Sequence, residues 1–160
     1  MHVAEPNTPP VSTNIAFPWQ RLLVPVDFSP PSEAAFVYAL TLANITKAEV
    51  YVSHIIPVPH VLDVFYERGL TPPESVKHIT RKARRRVKEI IQATGASLPV
   101  RIRFHEGEAA VSILEQAAKL KVDLIVMGTH GRRGASRFFL GSVAETVIRR
   151  APCPVLTLRA

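Results

Sequence analysis

Short apolar runs alternate with segments of helical periodicity from Arg21 to the end of the chain. The runs predict five β-strands, over 22–26, 50–56, 100–104, 122–127 and 155–158. Between them, apolar residues recur every three or four positions, which predicts four helices, over about 30–43, 74–94, 109–120 and 140–148. Residues 57–73 contain four prolines and are predicted to form an irregular connection.

Strands that alternate with helices pair in parallel through right-handed crossovers. The predicted fold class is therefore α/β, an open five-stranded parallel sheet with helices on both faces. Ligands of such sheets bind beyond the carboxyl ends of the strands, where the strand order reverses. We therefore expect a site in the loops that follow the strands.

The chain of 160 residues is long enough for one domain with its own core. Residues 1–20 contain four prolines among small polar residues, and we predict a flexible tail followed by a single domain at 21–160. Trp19 either anchors the end of this tail on the core or remains exposed.

The formal charge of +7 is concentrated in one segment. Six cations lie between Arg81 and Lys88, and the other 14 Lys and Arg residues nearly balance the 13 acidic ones. Apolar residues at helical spacing thread this segment, so the cations line the polar face of an amphipathic helix. Such a face is either solvated or an anion-binding strip for nucleic acid, and no aromatic platform accompanies it.

The single cysteine, Cys153, excludes an intrachain disulfide and a cysteine-based zinc cage. No signal peptide is recognisable, and no apolar run approaches the ~20 residues that span a bilayer. We therefore expect a cytoplasmic protein without a membrane partner. The histidines show no spacing typical of a metal site.

Four of the seven glycines fall between Gly128 and Gly141, in the loop between the fourth strand and the last helix. Glycines allow backbone N–H groups to approach an anion closely, and the first amides of a helix carry partial positive charge. The spacing fits neither the P-loop nor the dinucleotide fingerprint. Either the loop holds a phosphate group or its glycines only punctuate a surface turn.

Gly128-x-x-Gly131, nine residues, and then Gly141-Ser142 resemble the ATP-binding signature of a subset of the universal stress protein family. The segments 23–29 and 142–156 are similar to the first strand and the C-terminal end of that family, so the resemblance covers 21–159. It implies an adenine nucleotide alpha hydrolase-like sheet of order three-two-one-four-five. It also implies an adenine nucleotide ligand (ATP, ADP or AMP) and a homodimer formed through the last strand, whose uncharged apolar edge invites pairing.

The resemblance also implies roles for individual residues. Asp27 would approach the ribose and, through the nucleotide, a magnesium ion, although Asp27 alone could equally cap the following turn. Ser142 would meet a phosphate group or act as the helix N-cap. The full set of implied nucleotide-binding residues is Pro25, Val26, Asp27, Ile55, Met127, Gly128, His130, Gly131, Arg132, Gly141, Ser142 and Val143. Exposed side chains such as His130 and Arg132 are otherwise simply solvated.

Three functions follow from these patterns. The first is an ATP-binding regulatory protein of the universal stress class, in which bound nucleotide biases conformation or partner choice. The second is a slow ATPase or nucleotidyl-transfer enzyme, for which the sequence offers no base near the γ-phosphate. The third is nucleic-acid binding through the Arg81–Lys88 helix, whose affinity would fall steeply with salt.

Overall fold

A computed structural model describes residues 19–129 and 140–159 of the chain. Five parallel strands form one sheet: β1 (Arg21–Pro25), β2 (Glu49–Ile56), β3 (Val100–Glu106), β4 (Leu124–Gly128) and β5 (Val155–Leu158). Their order in space is β3-β2-β1-β4-β5. The predicted fold class and sheet order are confirmed.

The described residues form five helices rather than the predicted four: α1 (Pro30–Thr46), α2 (Val58–Arg68), α3 (Pro72–Thr94), α4 (Ala109–Leu120) and α5 (Ser142–Arg150). The prediction of an irregular connection at 57–73 was wrong because α2 occupies most of it. Pro59 lies in the first turn of α2, where a missing N–H breaks no helical hydrogen bond. Val61 and Val64 then lie one turn apart and are buried against the end of β2 and the start of α3.

The core lies on both faces of the sheet because alternate side chains of a strand point in opposite directions. Leu22 and Val24 of β1, and Val26 just after it, belong to the apolar cluster with α1 and α3. Leu23 belongs to the cluster on the other face, with α4 and α5. Trp19 packs, half-buried, against the α1/α3 cluster, which is the first of the two alternatives considered for it.

The basic segment forms the exposed side of α3, as its periodicity predicted. Ile79, Ala83 and Val87 are buried, whereas the six cations between Arg81 and Lys88 are exposed. Across residues 19–129 and 140–159, the helices are too short or too polar for any of them to cross a bilayer.

Candidate functional site

The carboxyl ends of β1 and β4 meet where the strand order reverses. β1 pairs with β2 on one side and with β4 on the other, in the register Leu22–Leu124 and Leu23–Ile125. This register carries the residues that follow β1 to the same edge as Met127 and Gly128. A sheet of this kind binds its ligands at this edge.

The loop from β1 to α1 is built around Asp27. Its Oδ1 accepts hydrogen bonds from the backbone N–H of Ser29 at 3.0 Å and from the Ser29 hydroxyl at 2.6 Å. Phe28, between them, has a φ of 63°, a left-handed conformation that is strained for an aromatic residue. The capping role considered for Asp27 is therefore present, and it holds the half-buried carboxylate at the carboxyl edge of the sheet.

His54 supports this loop from β2. Its Nδ1 lies 2.7 Å from the carbonyl oxygen of Val26, and its ring centroid lies 5.0 Å from that of Phe28. The side chain is 6% exposed. The one sequence signal for His54 was its alternation with Val52 and Ile56 on a buried strand face, and it pointed to no role in the site.

Val26 differs from the other nucleotide-binding candidates in its orientation. Its side chain is buried in the cluster on the α1/α3 face. Its backbone N–H donates to the carbonyl of Ser53 at 2.8 Å, and its carbonyl oxygen contacts His54. Its structural contacts are therefore those of a core and strand residue.

Three other candidates come together on the α4/α5 face. Met127 is part of the buried cluster there, and the half-buried side chains of Ile55 and Val143 pack against the same cluster. Pro25 is buried on β1 and shares this face by alternation with Leu23. Ile55 and Val143 are only partly buried, so they leave apolar surface near the carboxyl edge that suits a planar base.

The two ends of the glycine loop are held together. The backbone N–H of Gly141 donates to the carbonyl of Thr129 at 2.8 Å, and the N–H of Thr129 donates to the carbonyl of Leu158 at 2.9 Å. His130, Gly131 and Arg132 lie outside the described residues. The hydrogen bonds nevertheless place the start of α5 at the end of β4.

The N-cap of α5 is Gly141, so the prediction that Ser142 is the N-cap was wrong. Ser142 is the first helical residue, because the helix begins with the hydrogen bond from the N–H of Glu145 to the carbonyl of Gly141. A glycine N-cap has no side chain to bond the first-turn amides, and α5 has no side-chain cap hydrogen bond. Its amino end therefore offers the partial positive charge and N–H donors that suit a phosphate.

The residues present thus fit an adenine nucleotide, with an apolar edge for the base and an uncapped helix end for phosphates. They do not form a metal site of their own. Among residues 19–129 and 140–159, no three His, Cys, Asp or Glu side chains are grouped as metal ligands. Asp27 alone could hold a magnesium ion only together with the nucleotide's own oxygens.

The chain is similar to known proteins, some of which were solved with a bound nucleotide. A universal stress protein of Methanocaldococcus jannaschii is 35% identical over 142 residues, which cover 88% of this chain and 82% of the relative. A universal stress protein solved in complex with cAMP superposes with a TM-score of 0.62 at 25% identity, covering 88% of this chain and 97% of that one. The Archaeoglobus fulgidus universal stress protein in complex with dAMP superposes with a TM-score of 0.63 at 25% identity, covering 88% and 98%.

The pattern that defines the universal stress protein family matches residues 18–159, which include the whole sheet and all five helices. This match extends over the two segments of the site, the β1–α1 loop and the start of α5. The chain belongs to the universal stress protein family.

Proposed function

We propose that this protein binds an adenine nucleotide at the carboxyl ends of β1, β2 and β4 and acts as an ATP-binding regulator in a stress response. The observation that carries the proposal is the uncapped start of α5, held at the end of β4 by the Thr129–Gly141 hydrogen bond beside an apolar edge. Family members in complex with cAMP and dAMP support an adenine ligand.

In this proposal each part of the site has one task. Ile55, Met127 and Val143 pack against the base and its sugar, and Asp27 lies toward the ribose. The α5 amides, together with Gly131 and Arg132, receive the phosphates. A magnesium ion, when bound with the nucleotide, would neutralise phosphate charge near Asp27. The single cysteine is consistent with a cytoplasmic location, which we include in the proposal.

The test uses isothermal titration calorimetry with ATP and AMP. Ser142→Asp adds a negative charge at the first position of α5. The helix dipole stabilises this charge, whereas the charge repels a phosphate bound at the same helix end. We expect a loss of at least about tenfold in ATP affinity, a smaller loss for AMP, and an unchanged melting temperature. Ser142→Ala, the matched control, is expected to stay within about threefold of the wild type.

Wild-type protein that binds neither nucleotide contradicts the proposal. Unchanged ATP affinity in Ser142→Asp contradicts the placement of the phosphates at α5. Release of phosphate over many turnovers would favour the alternative of a slow ATPase over a regulator that only binds.

We further propose a homodimer through β5. The two edges of the sheet differ, because β3 exposes Arg101 and Arg103 whereas β5 consists of Val155, Leu156, Thr157 and Leu158. Charged edges resist pairing with another chain, and uncharged apolar edges favour it. The occupant of the β5 edge is therefore a second copy of the same strand.

A further inference from the structure

The basic helix α3 is joined to the start of α1 by a two-pronged ion pair. Arg86 donates from Nε to Glu33 Oε1 and from Nη2 to Glu33 Oε2, each at 2.7 Å. Its Nη1 donates to Glu89 of α3 at 3.3 Å. This fork geometry fixes the direction of the guanidinium as well as its distance.

Glu33 also connects this ion pair to the candidate nucleotide site. Its backbone N–H donates to the carbonyl of Ser29 at 2.9 Å, and Ser29 holds the Asp27 carboxylate through two hydrogen bonds. A short series of polar contacts therefore runs from α3 to Asp27. Every contact in it lies in a described part of the molecule.

The strained residue of the site faces the same region. Phe28, His54, Glu33 and Arg86 line one cavity of about 390 Å³ between α1, α2 and α3. A left-handed φ at an aromatic residue persists only where surrounding contacts enforce it. The His54 ring holds Phe28 from the sheet, and the Arg86–Glu33 pair fixes the helix turn that follows Phe28.

We infer that Arg86, acting through Glu33, is a positioning residue that holds the Asp27–Ser29 loop in the conformation that binds the nucleotide. This inference rests on the proposed function and extends it to α3. Arg86, one of the six cations of the basic segment, then has a role within the fold. The pair is partly solvent-exposed, so its effect is expected in binding more than in global stability.

Arg85 supplies a matched control on the same helix. Its side chain is 73% exposed, and the ion pair that it forms among the described residues, 3.7 Å from Nε to Oε1, is with Glu89 of the same helix. Arg85→Ala and Arg86→Ala remove the same charge at neighbouring positions. Any difference between them therefore reports the contact with Glu33 rather than the total charge of α3.

The first measurement is ATP affinity by calorimetry in Arg86→Ala, Glu33→Gln and the double variant. We expect each single change to weaken binding about fivefold, and the double change also about fivefold rather than about 25-fold, because both remove one interaction. Arg85→Ala should bind like the wild type. Equal losses in Arg85→Ala and Arg86→Ala, or multiplicative losses in the double variant, would overturn the inference.

The second measurement needs no nucleotide. Amide hydrogen exchange at Phe28, Ser29 and Glu33 should be at least about fivefold faster in Arg86→Ala than in Arg85→Ala, with both melting temperatures close to the wild type. Equal exchange in the two variants overturns the inference. If wild-type protein binds no nucleotide, the proposed function fails, and exchange alone then decides whether Arg86 holds the loop.

Discussion

Gly128 at the end of β4 lies so close to α1 that a Cβ on residue 128 would stand 2.8 Å from the carbonyl carbon of Pro31. The same Cβ would stand 2.8 Å from the backbone nitrogen of Ser32. Both neighbours are backbone atoms in the first turn of α1 and cannot turn aside. Packing against α1 therefore requires a glycine at position 128, whether or not a phosphate binds nearby. The missing side chain sets how closely α1 approaches the site.

Gly128→Ala should therefore destabilise the fold by about 1–3 kcal/mol, because α1 must move away from β4. Urea denaturation followed by circular dichroism measures this loss. Gly95→Asn is the control, since no atom lies within 4 Å of a Cβ there and asparagine tolerates its left-handed φ of 64°. An equal loss in both variants would mean that the contact with Pro31 is not the cause.

Gln116 and Ser53 form a buried polar pair between α4 and β2. Gln116 of α4 donates from Nε2 to the hydroxyl of Ser53 at 2.8 Å and to the carbonyl of Ser112 at 3.1 Å. Its Oε1 is buried without a hydrogen-bond partner among the residues that the structure describes. An unpaired buried oxygen reduces stability, whereas removal of both partners can be neutral or stabilising.

We therefore expect Ser53→Ala to cost about 1 kcal/mol, because Nε2 loses an acceptor. The double variant Ser53→Ala with Gln116→Leu should be at least as stable as the wild type. Urea denaturation of the three proteins gives both values. A double variant less stable than Ser53→Ala would show that Oε1 is satisfied in solution, for example by a buried water molecule.

Glu49 gives the protein an acid-dependent contribution to stability. Its carboxylate accepts a hydrogen bond from the Tyr51 hydroxyl at 2.6 Å and another from Arg101. These contacts lower the pKa of Glu49 below its ordinary value of 4.5, and the hydrogen bond from Tyr51 has the largest effect. Because the folded pKa is lowered, the contribution is complete above pH 4.5 and is lost as the pH falls through the folded value.

Glu49→Gln should therefore lower the melting temperature at pH 7. It should also make the melting temperature fall less steeply below pH 4.5. Glu115→Gln, an exposed carboxylate on α4, is the charge control and should leave the decline unchanged. The same hydrogen bond raises the pKa of Tyr51 above 10.0, so its contribution is complete below pH 10 and is lost above it. Identical acid profiles for Glu49→Gln and the wild type would contradict this account.

The β5 edge allows a specific test of the proposed dimer. The carbonyls of Pro154 and Leu158 accept hydrogen bonds from β4, so alternation turns the backbone groups of Val155 and Thr157 outward. Thr157→Pro removes an outward N–H without breaking the β4–β5 ladder. We expect a dimer mass for the wild type and a monomer mass for this variant in analytical ultracentrifugation.

Thr157→Val is the control for this test. It keeps the backbone N–H of residue 157 and should remain dimeric. A monomeric wild type would contradict the dimer proposal. A dimeric Thr157→Pro would place the interface on another surface.

Periodicity was sufficient for the strands and for four helices because each buries a face that repeats along the chain. It missed α2, where Pro57 and Pro59 suggested a break although Pro59 occupies a helix position that tolerates it. The hydroxyl of Ser142 suggested an N-cap for α5 one residue after the actual cap, Gly141. The exact end of a helix depends on backbone geometry more than on the side-chain pattern.

For the site, motif spacing pointed to Asp27, Gly128 and the start of α5. Each of them belongs to a short stretch of sequence that can be recognised without the fold. It could not find His54, Arg86 or Gln116, whose partners lie 28, 53 and 63 residues away. The neighbouring sequence does not reveal these partners. Only folding brings their partners within hydrogen-bond distance.

The amino-acid sequence by itself determined the α/β class, the amphipathic basic helix and the resemblance to a family, because these depend on short-range patterns of apolar, charged and glycine residues. The tertiary structure decided which face of the sheet several candidates occupy, why Gly128 must be glycine, and that Arg86 is bound to Glu33 at the start of α1. These relationships depend on how distant elements pack against one another, and packing becomes definite only when the whole core is formed.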